Sequence, residues 1–396
     1  MVVNAINDPL LGHLSDRTNV KRWGSRRIIY IKYSAPIWAL TFLLVWFPWS
    51  LNNQLVIFLH FVISICLFDT MLTLVVLVWM ALLPEMTSDL DERNKANFLV
   101  GVIGGIVVIP FLLIMGDMNP LSNDYLIFII IIAIISTILL LVTAHFSEEK
   151  PEFQKDKGFS LLIALKETFK SKSFLLYLGY NFCNAFLGSI GLSYLFAYLF
   201  VLGEGGVLWY FLIFIFVGYG SSFFCIKIRK KWGMRGIILR FGIIKVSINF
   251  LTFLFSVLIN EPLITVVGLG IGTFLGGYGI FNTTLMYLSI DEDELKNGSR
   301  REGMFLGVNA LIHKPAQSIG PIIATLILNS FGFIQGSDMQ PPSAISGILI
   351  LMFLIPAIIS LIGLVFMYFY KYNKEKVEEM NVRLEVLHQE KKNRLN

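Results

Sequence analysis

Apolar runs of about twenty residues or more recur along the whole chain, and no other feature constrains its fold as strongly. A bilayer core of about 30 Å is crossed by about 20 helical residues or by about 9–11 strand residues. In lipid only helices or closed barrels satisfy their own backbone. Ten full runs follow an opening fragment at 1–13: roughly 28–48, 54–83, 96–116, 124–145, 174–202, 207–226, 237–259, 262–288, 304–330 and 343–370. These are too long for barrel strands, so the chain reads as an all-α polytopic membrane protein with about eleven membrane segments. Composition agrees: 56% of its 396 residues are hydrophobic and 15% charged, against about 25% charged in soluble domains.

The loops set the orientation. One alternate set, Ser50–Asn53, Gly116–Asn123, Gly203–Gly206, Asn260–Glu261 and Gly332–Pro342, contains no Lys or Arg. The other carries Arg17, Lys21, Arg22, Arg26 and Arg27, then Lys227, Arg229, Lys230, Lys231 and Arg235. By the positive-inside rule the second set is cytoplasmic, and so is the carboxy-terminus. The net charge of +5 therefore serves topology and is no sign of nucleic acid. Cys66, Cys183 and Cys225 all lie inside apolar runs at unrelated spacings, which argues against disulfides or a metal site. The five His are dispersed, with no metal-ligand spacing and no nucleophile beside a base, so a membrane-embedded enzyme has no support. No cleavable signal peptide is visible.

Four regions follow: an amino-terminal half over 1–147, a central loop over 148–173, a carboxy-terminal half of six helices over 174–371, and a charged tail over 372–396. In the central loop Phe159, Leu162, Ile163, Leu165 and Phe169 recur at helical spacing beside Lys166, Glu167 and Lys170. That pattern predicts a short amphipathic helix on the cytoplasmic interface or a plain linker helix. The tail, with Val377, Leu384 and Leu387 as a thin apolar stripe, reads as a solvated helix. The two halves echo one another. Lys21-Arg22-Trp23-Gly24-Ser25-Arg26 is matched by Lys231-Trp232-Gly233-Met234-Arg235, and Asp89-Leu90-Asp91-Glu92-Arg93 by Asp291-Glu292-Asp293-Glu294 with Arg300-Arg301-Glu302, about 200 residues on. Parallel repeats of this kind are the plan of major facilitator transporters.

Asn7-Asp8-Pro9-Leu10-Leu11-Gly12-His13-Leu14-Ser15-Asp16-Arg17-Thr18, followed by Trp23-Gly24 and Arg26-Arg27, resembles the glycoside–pentoside–hexuronide:cation symporters, the branch containing melibiose permease. Pro84-Glu85 leading to Asp91-Glu92-Arg93, and Gly303 through Lys314 to Gly320, fit the same branch, so the resemblance covers essentially the whole chain. It implies a major facilitator fold of two pseudo-symmetric halves in which the first of twelve helices is missing here, through a misplaced gene start, truncation or loss. It also implies secondary transport of a sugar or glycoside with Na⁺ or H⁺ and no other cofactor, by a monomer in the cell membrane.

The resemblance carries the cation site onto Asn4, Asn7, Asp8 and Thr73, with Asn4 where the family has a first carboxylate. The sugar-site positions fall on Val76, where the family has an acid, and on Gly101, where it has an Arg. Neither supplies the directional groups a sugar needs. Leu67-Phe68-Asp69-Thr70-Met71-Leu72-Thr73 is similar instead to the sodium-dependent lysophosphatidylcholine symporters, whose intramembrane Lys matches Lys314. An amphiphile is therefore a second substrate class, and a non-transporting, partner-binding membrane protein a third reading.

A charge at the depth of Lys314 costs roughly 2.5–3.5 kcal/mol on insertion scales. It calls for substrate anchoring, or for a pair with Asp8 or Asp69 that a bound cation would break. Asp69 is the other candidate substrate residue. Arg240 reads as snorkelling and Lys245 is left open. Asn181, Asn184, Asn249, Asn282, Asn309 and Gln317 read first as helix–helix bonds, and His313 as packed or as a proton relay. Asp16, Arg17, Glu92 and Arg93 face Asp291, Arg300 and Arg301 as an expected cytoplasmic gate of ion pairs.

Overall fold

The computed structural model describes residues 2–117, 122–150, 161–201, 213–259, 261–337 and 339–394. The loops at 118–121 and 203–206, Phe159 and the first part of the run expected over 207–226 lie outside the described residues. The amino-terminal half comprises α1 (Val2–Asp16), α2 (Val20–Trp23), α3 (Ile28–Trp46), α4 (Gln54–Met86), α5 (Leu90–Asp117) and α6 (Asn123–Phe146). Then come α7 (Leu161–Lys170), α8 (Lys172–Val201), a π turn at Ile213–Gly218, α9 (Tyr219–Ile259) and α10 (Pro262–Leu275). A 3₁₀ turn at Gly276–Phe281 leads into α11 (Asn282–Asn297) and α12 (Glu302–Ser330). The last span is α13 (Pro342–Leu349), a π turn at Ile350–Leu354 and α14 (Ile355–Phe369), after which α15 (Lys374–Asn393) forms the tail. Seven helices among the described residues are long and apolar enough to cross a membrane; the eleven segments counted in the sequence remain an expectation.

Local signals place the helix ends. The Asn53 carboxamide accepts from Leu55 N at 3.0 Å and Val56 N at 3.2 Å to start α4, Ser122 caps α6 at Tyr125 N (3.2 Å), and Asn373 caps α15 at Lys376 N (3.0 Å). The Glu149 carboxylate, brought back from the end of α6, accepts from the backbone N–H groups of Arg26, Arg27 and Ile28 at 2.7–2.8 Å. That seats a negative charge on the positive end of α3.

Three expectations change. The basic stretch 227–235 is helical on both sides of a corner at Gly233, whose φ of 67° suits only glycine. The run expected over 262–288 is broken by a 3₁₀ turn at 276–281. The tail is not simply solvated: Val377, Met380 and Leu384 are buried, and α15 packs against α11 and α9. Its stripe is narrow because three side chains are enough to dock one helical face. In α7, Leu162 and Ile163 are exposed while Ala164 and Thr168 are buried, so a helix forms over the expected stretch, as both the interfacial and the linker readings require.

The two halves meet most closely where α1 crosses α12. A Cβ at Gly12 would collide with the Gly303 carbonyl, and one at Gly307 would lie 2.6 Å from the Asp8 carbonyl oxygen. Only glycine permits that approach, and it brings Asp8 and Asp16 against the other half. The buried core is rich in large aromatic side chains: Phe174, Tyr177, Phe281, Tyr287, Phe305 and Tyr370 are all buried.

Candidate functional site

Two polar sites lie on the seam between the halves, one at the end that carries the basic loops and one deeper in the membrane region.

The first is a network of buried ion pairs. The Arg27 guanidinium is 2.6 Å from Glu85 Oε2, 2.6 Å from Glu302 Oε2 and 3.0 Å from Asp16 Oδ1, and Arg26 lies 3.1 Å from the same Glu85 oxygen. Asp16 accepts from Gly303 N at 3.0 Å and Met304 N at 2.9 Å, capping α12 from the other half. Arg93 grips Asp291 with two bonds of 2.6 and 3.2 Å. Arg300 reaches Asp291 (3.4 Å), Glu294 (2.6 Å), Glu302 and, across the seam, the Pro84 carbonyl (2.9 Å). Glu294 also holds His388 at 3.0 Å and Lys391 at 2.9 Å from the tail helix. Removing one member of such a pair typically costs about 3–5 kcal/mol, because the partner charge is left buried and alone.

Of the expected gate residues, Asp16, Arg93, Asp291 and Arg300 join this seam, and Arg301 pairs with Asp293 inside its own half. Arg17 and Glu92 do not join it. Arg17 is exposed, and Glu92 is exposed and bonds locally to Thr87. Each points away from the crossing because its neighbour, Asp16 or Arg93, takes the inward register. Sequence reasoning missed Arg26, Arg27, Glu85 and Glu302 as gate residues, although all four sit in the motifs that carried the family resemblance. It also missed Asp91 with Arg229, which meet across the seam. Burial would raise the Asp91 pKa, but Arg229 and Lys230 outweigh it and hold the carboxyl below its usual range.

Between the two sites is a layer of neutral bonds across the seam. Thr284 Oγ1 donates to Asn94 Oδ1 at 2.7 Å and Tyr287 OH to the Met80 carbonyl at 3.1 Å.

The second site is a cavity of about 340 Å³ walled by α4, α8, α11 and α12. The Lys314 ammonium lies 3.0 Å from Asp8 Oδ1, 2.9 Å from Asp8 Oδ2 and 3.0 Å from Thr73 Oγ1. Asp8 is fully buried, whereas the Lys314 side chain is 27% exposed. A chain of amides lines the same cavity. Asn282 Nδ2 donates to Asn181 Oδ1 (2.7 Å), and Asn181 Nδ2 donates to Asn309 Oδ1 (2.7 Å) with His313 Nδ1 at 3.4 Å. These helix–helix bonds were expected; their convergence on one cavity was not.

Val76 lies in the wall. Gly101 does not: it faces Tyr219, whose hydroxyl donates to its carbonyl, and borders a separate cavity of about 480 Å³ between α4, α5 and the 276–287 stretch. Asp69 sits about one helical turn from Thr73, half-buried. Asn7 Nδ2 is buried without a hydrogen-bond partner; the side chain of Asn4 lies outside the described residues. Arg240 stacks on Trp232, its guanidinium 4.6 Å from the ring centre, and the Lys245 ammonium lies 6.0 Å from the Tyr278 ring. Among the described residues no cluster of three metal-ligating side chains occurs.

Two helical halves, ion-paired at one end and enclosing a polar cavity at depth, define a membrane carrier of the major facilitator fold. The chain belongs to the family described as MFS/sugar transport protein, which matches residues 1–374. It is 24% identical over 397 aligned residues to the uncharacterized symporter YnaJ of Bacillus subtilis, covering 97% of this chain and 84% of the relative. It is 22% identical over 389 residues to the isoprimeverose transporter of Lactiplantibacillus pentosus, covering 94% and 79%. The crystal structure of the transporter FucP in the outward conformation superposes with a TM-score of 0.62 at 12% identity, covering 94% of this chain and 89% of that one; a likeness at that identity concerns the fold alone.

Proposed function

We propose that the chain is a cation-coupled symporter of a small, sugar-type organic solute, working by alternating access in the cell membrane with its basic loops and carboxy-terminus in the cytoplasm. The observation that carries this reading is the position of the Lys314 ammonium, shared between Asp8 and Thr73 in the wall of the seam cavity. Those oxygens are the ones a coupling cation would use, with Asn7 beside them, so Na⁺ or a proton at Asp8 competes with Lys314 for its ligands. Asn4, which replaces a carboxylate in the resemblance, leaves a single acid, and one acid can be neutralised by one monovalent cation. The seam ion pairs close the cytoplasmic side in the state described and must separate in the other. Family membership and the symporter relatives support the solute class.

A second solute class, a single-tailed amphiphile, is favoured by one observation: the deep cavity and the larger one beside Gly101 share Met80 and Thr283 in their walls.

Thermal unfolding of the purified protein tests the coupling. Titration with Na⁺, Li⁺ and H⁺ in the presence of glycosides or lysophospholipids should stabilise it with one solute class only when the cation is present. The Asp8→Asn variant should lose that cation dependence. An unchanged cation response in Asp8→Asn would remove the cation assignment, and silence toward every cation and solute would favour a non-transporting membrane protein.

A further inference from the structure

We infer that the Gly276–Phe281 turn is a two-state hinge between α10 and α11, and that Lys245 is the positioning residue that holds it in its 3₁₀ form. Such a hinge serves alternating access whichever solute the cavity takes, with or without a coupled cation.

Lys245 is a charge without a carboxylate. It lies on α9 about 18 Å along the axis from the corner at Gly233, and among the described residues no Asp or Glu pairs with it. A ladder between α9 and α10 sets its place. Ser256 bonds Thr265 at 3.0 Å, Thr252 packs on Gly268, the Asn249 amide oxygen on Gly272, and the Lys245 ammonium on Gly276. Each rung is about one helical turn from the last, so the ladder delivers the ammonium to the point where α10 ends. A Cβ on Gly276 would stand 3.0 Å from Lys245 Nζ.

What the ammonium meets there is the negative end of a broken helix. The N–H of Gly276 is shared among the carbonyls of Gly272, Thr273 and Phe274, and the Ser221 hydroxyl donates a further bond to Phe274. One donor divided among three carbonyls weakens each bond, and the macrodipole of α10 adds partial negative charge at this end. A cation is stabilised there, whereas an isolated charge at membrane depth is costly. In an unbroken helix each of those carbonyls has its own N–H donor and no helix end is present. Only the broken state therefore offers the ammonium this partner.

The turn is poised between two forms. Three of the residues at 276–281 are glycines, which change backbone conformation at low steric cost. A 3₁₀ run of 6 residues is longer than the usual length of about 3–4. Given the rise and pitch of the two helix types, recoiling this run as α-helix draws α11 about 3 Å toward α10 and turns it by about 120°. On α11 stand Asn282 and Met286 of the cavity wall, Thr284 and Tyr287 of the bonds across the seam, and Asp291 of the gate. A rotation of that size takes all of them from their partners together. One backbone change then opens the gate and reshapes the cavity.

Cross-linking in the full purified chain tests the hinge. Asn94→Cys with Thr284→Cys, in a chain also carrying Cys66→Ala, Cys183→Ala and Cys225→Ala, places two thiols where Thr284 Oγ1 and Asn94 Oδ1 lie 2.7 Å apart. Disulfide yield under mild oxidation reads the 3₁₀ state, and Tm reads folding. Lys245→Met keeps the bulk of the side chain and removes the charge, and should lower the yield at least fivefold in a folded chain. Gly276→Ala pushes a methyl onto Nζ and should do the same, and the two together should do no more than either alone. Lys245→Arg keeps the charge and should keep the yield. Should Lys245→Met fail to fold, Gly276→Ala and Lys245→Arg still decide. A wild-type yield in folded Lys245→Met or Gly276→Ala, or a loss in Lys245→Arg equal to that in Lys245→Met, would overturn the proposal.

Discussion

The two polar sites on the seam use the same chemistry in opposite ways. At the basic end Arg27, Arg93 and Arg300 each touch more than one acceptor, and Glu85, Glu302 and Glu294 each serve more than one cation. Loss of any one bond leaves others in place, so the network holds a whole face of the molecule together. In the deep cavity a single ammonium faces a single carboxylate and a hydroxyl. There nothing is redundant, and one added positive charge can change the partner of Lys314. Redundancy resists change, whereas a lone pair of this kind can serve as the switch that the coupling proposed above requires. Both sit on the same helices, α1 and α12, so what happens at Asp8 is mechanically close to what happens at Asp16, two turns further along.

Removing the centre of the redundant network should have the largest effect. Arg27→Met takes one cation at once from Glu85, Glu302 and Asp16, leaving them to Arg26, Arg300 and backbone N–H groups, and should destabilise the latched state by about 3–5 kcal/mol, read as a lowered Tm and as loss of cross-linking between cysteine pairs placed across the seam. If that variant melts and cross-links like the wild type, the network is decoration on a seam held by packing.

Next comes the crossing itself. Gly307→Ala pushes a methyl onto the Asp8 backbone and should cost about 1–3 kcal/mol by overpacking, while increasing labelling of cysteines placed along the seam. An unchanged labelling pattern would mean that the crossing does not govern closure.

For the lone pair, Lys314→Gln leaves Asp8 buried without its cation and should cost about 1–3 kcal/mol, more than the double variant Asp8→Asn/Lys314→Gln. A double-mutant cycle on Tm measures the coupling; additive effects would show that the two charges do not depend on one another.

The smallest effect is expected at the exposed edge of the network. The Asp91 carboxyl is held below its usual range by Arg229 and Lys230. Its stabilisation is complete above the ordinary carboxylate pKa and fades only as pH falls through the lowered value. Asp91→Asn should therefore cost no more than about 1 kcal/mol at pH 7, and the difference from wild type should be flat between pH 5 and 8. A difference that grows over that range would assign the pH response to another group.

Much of this is legible in the sequence. Lys314 and Asp8 stood out because charges are rare within apolar runs, and their pairing was one of two arrangements anticipated. The echo of Asp89–Arg93 in Asp291–Arg301 anticipated that these loops face one another, and Arg93 does hold Asp291. What stayed hidden depends on register. Arg17 and Asp16 are equally plausible gate residues in the sequence, but adjacent helical positions differ by about 100° in direction, so only one faces the crossing. Glu85 and the Arg26–Arg27 pair were recognised as motif residues, yet their shared acceptor depends on helices distant in the chain.

The sequence by itself determined the solvent of this protein, its helices, its two-part plan and the intramembrane charges that call for partners, because burial in lipid and backbone satisfaction are properties of local runs. Which partner each charge takes, and that three asparagines from three helices converge on one cavity, was decided by tertiary structure alone. Those pairings depend on a glycine-permitted crossing between segments about 300 residues apart, and the hydrophobic pattern that makes each helix does not encode the rotation at which it meets another.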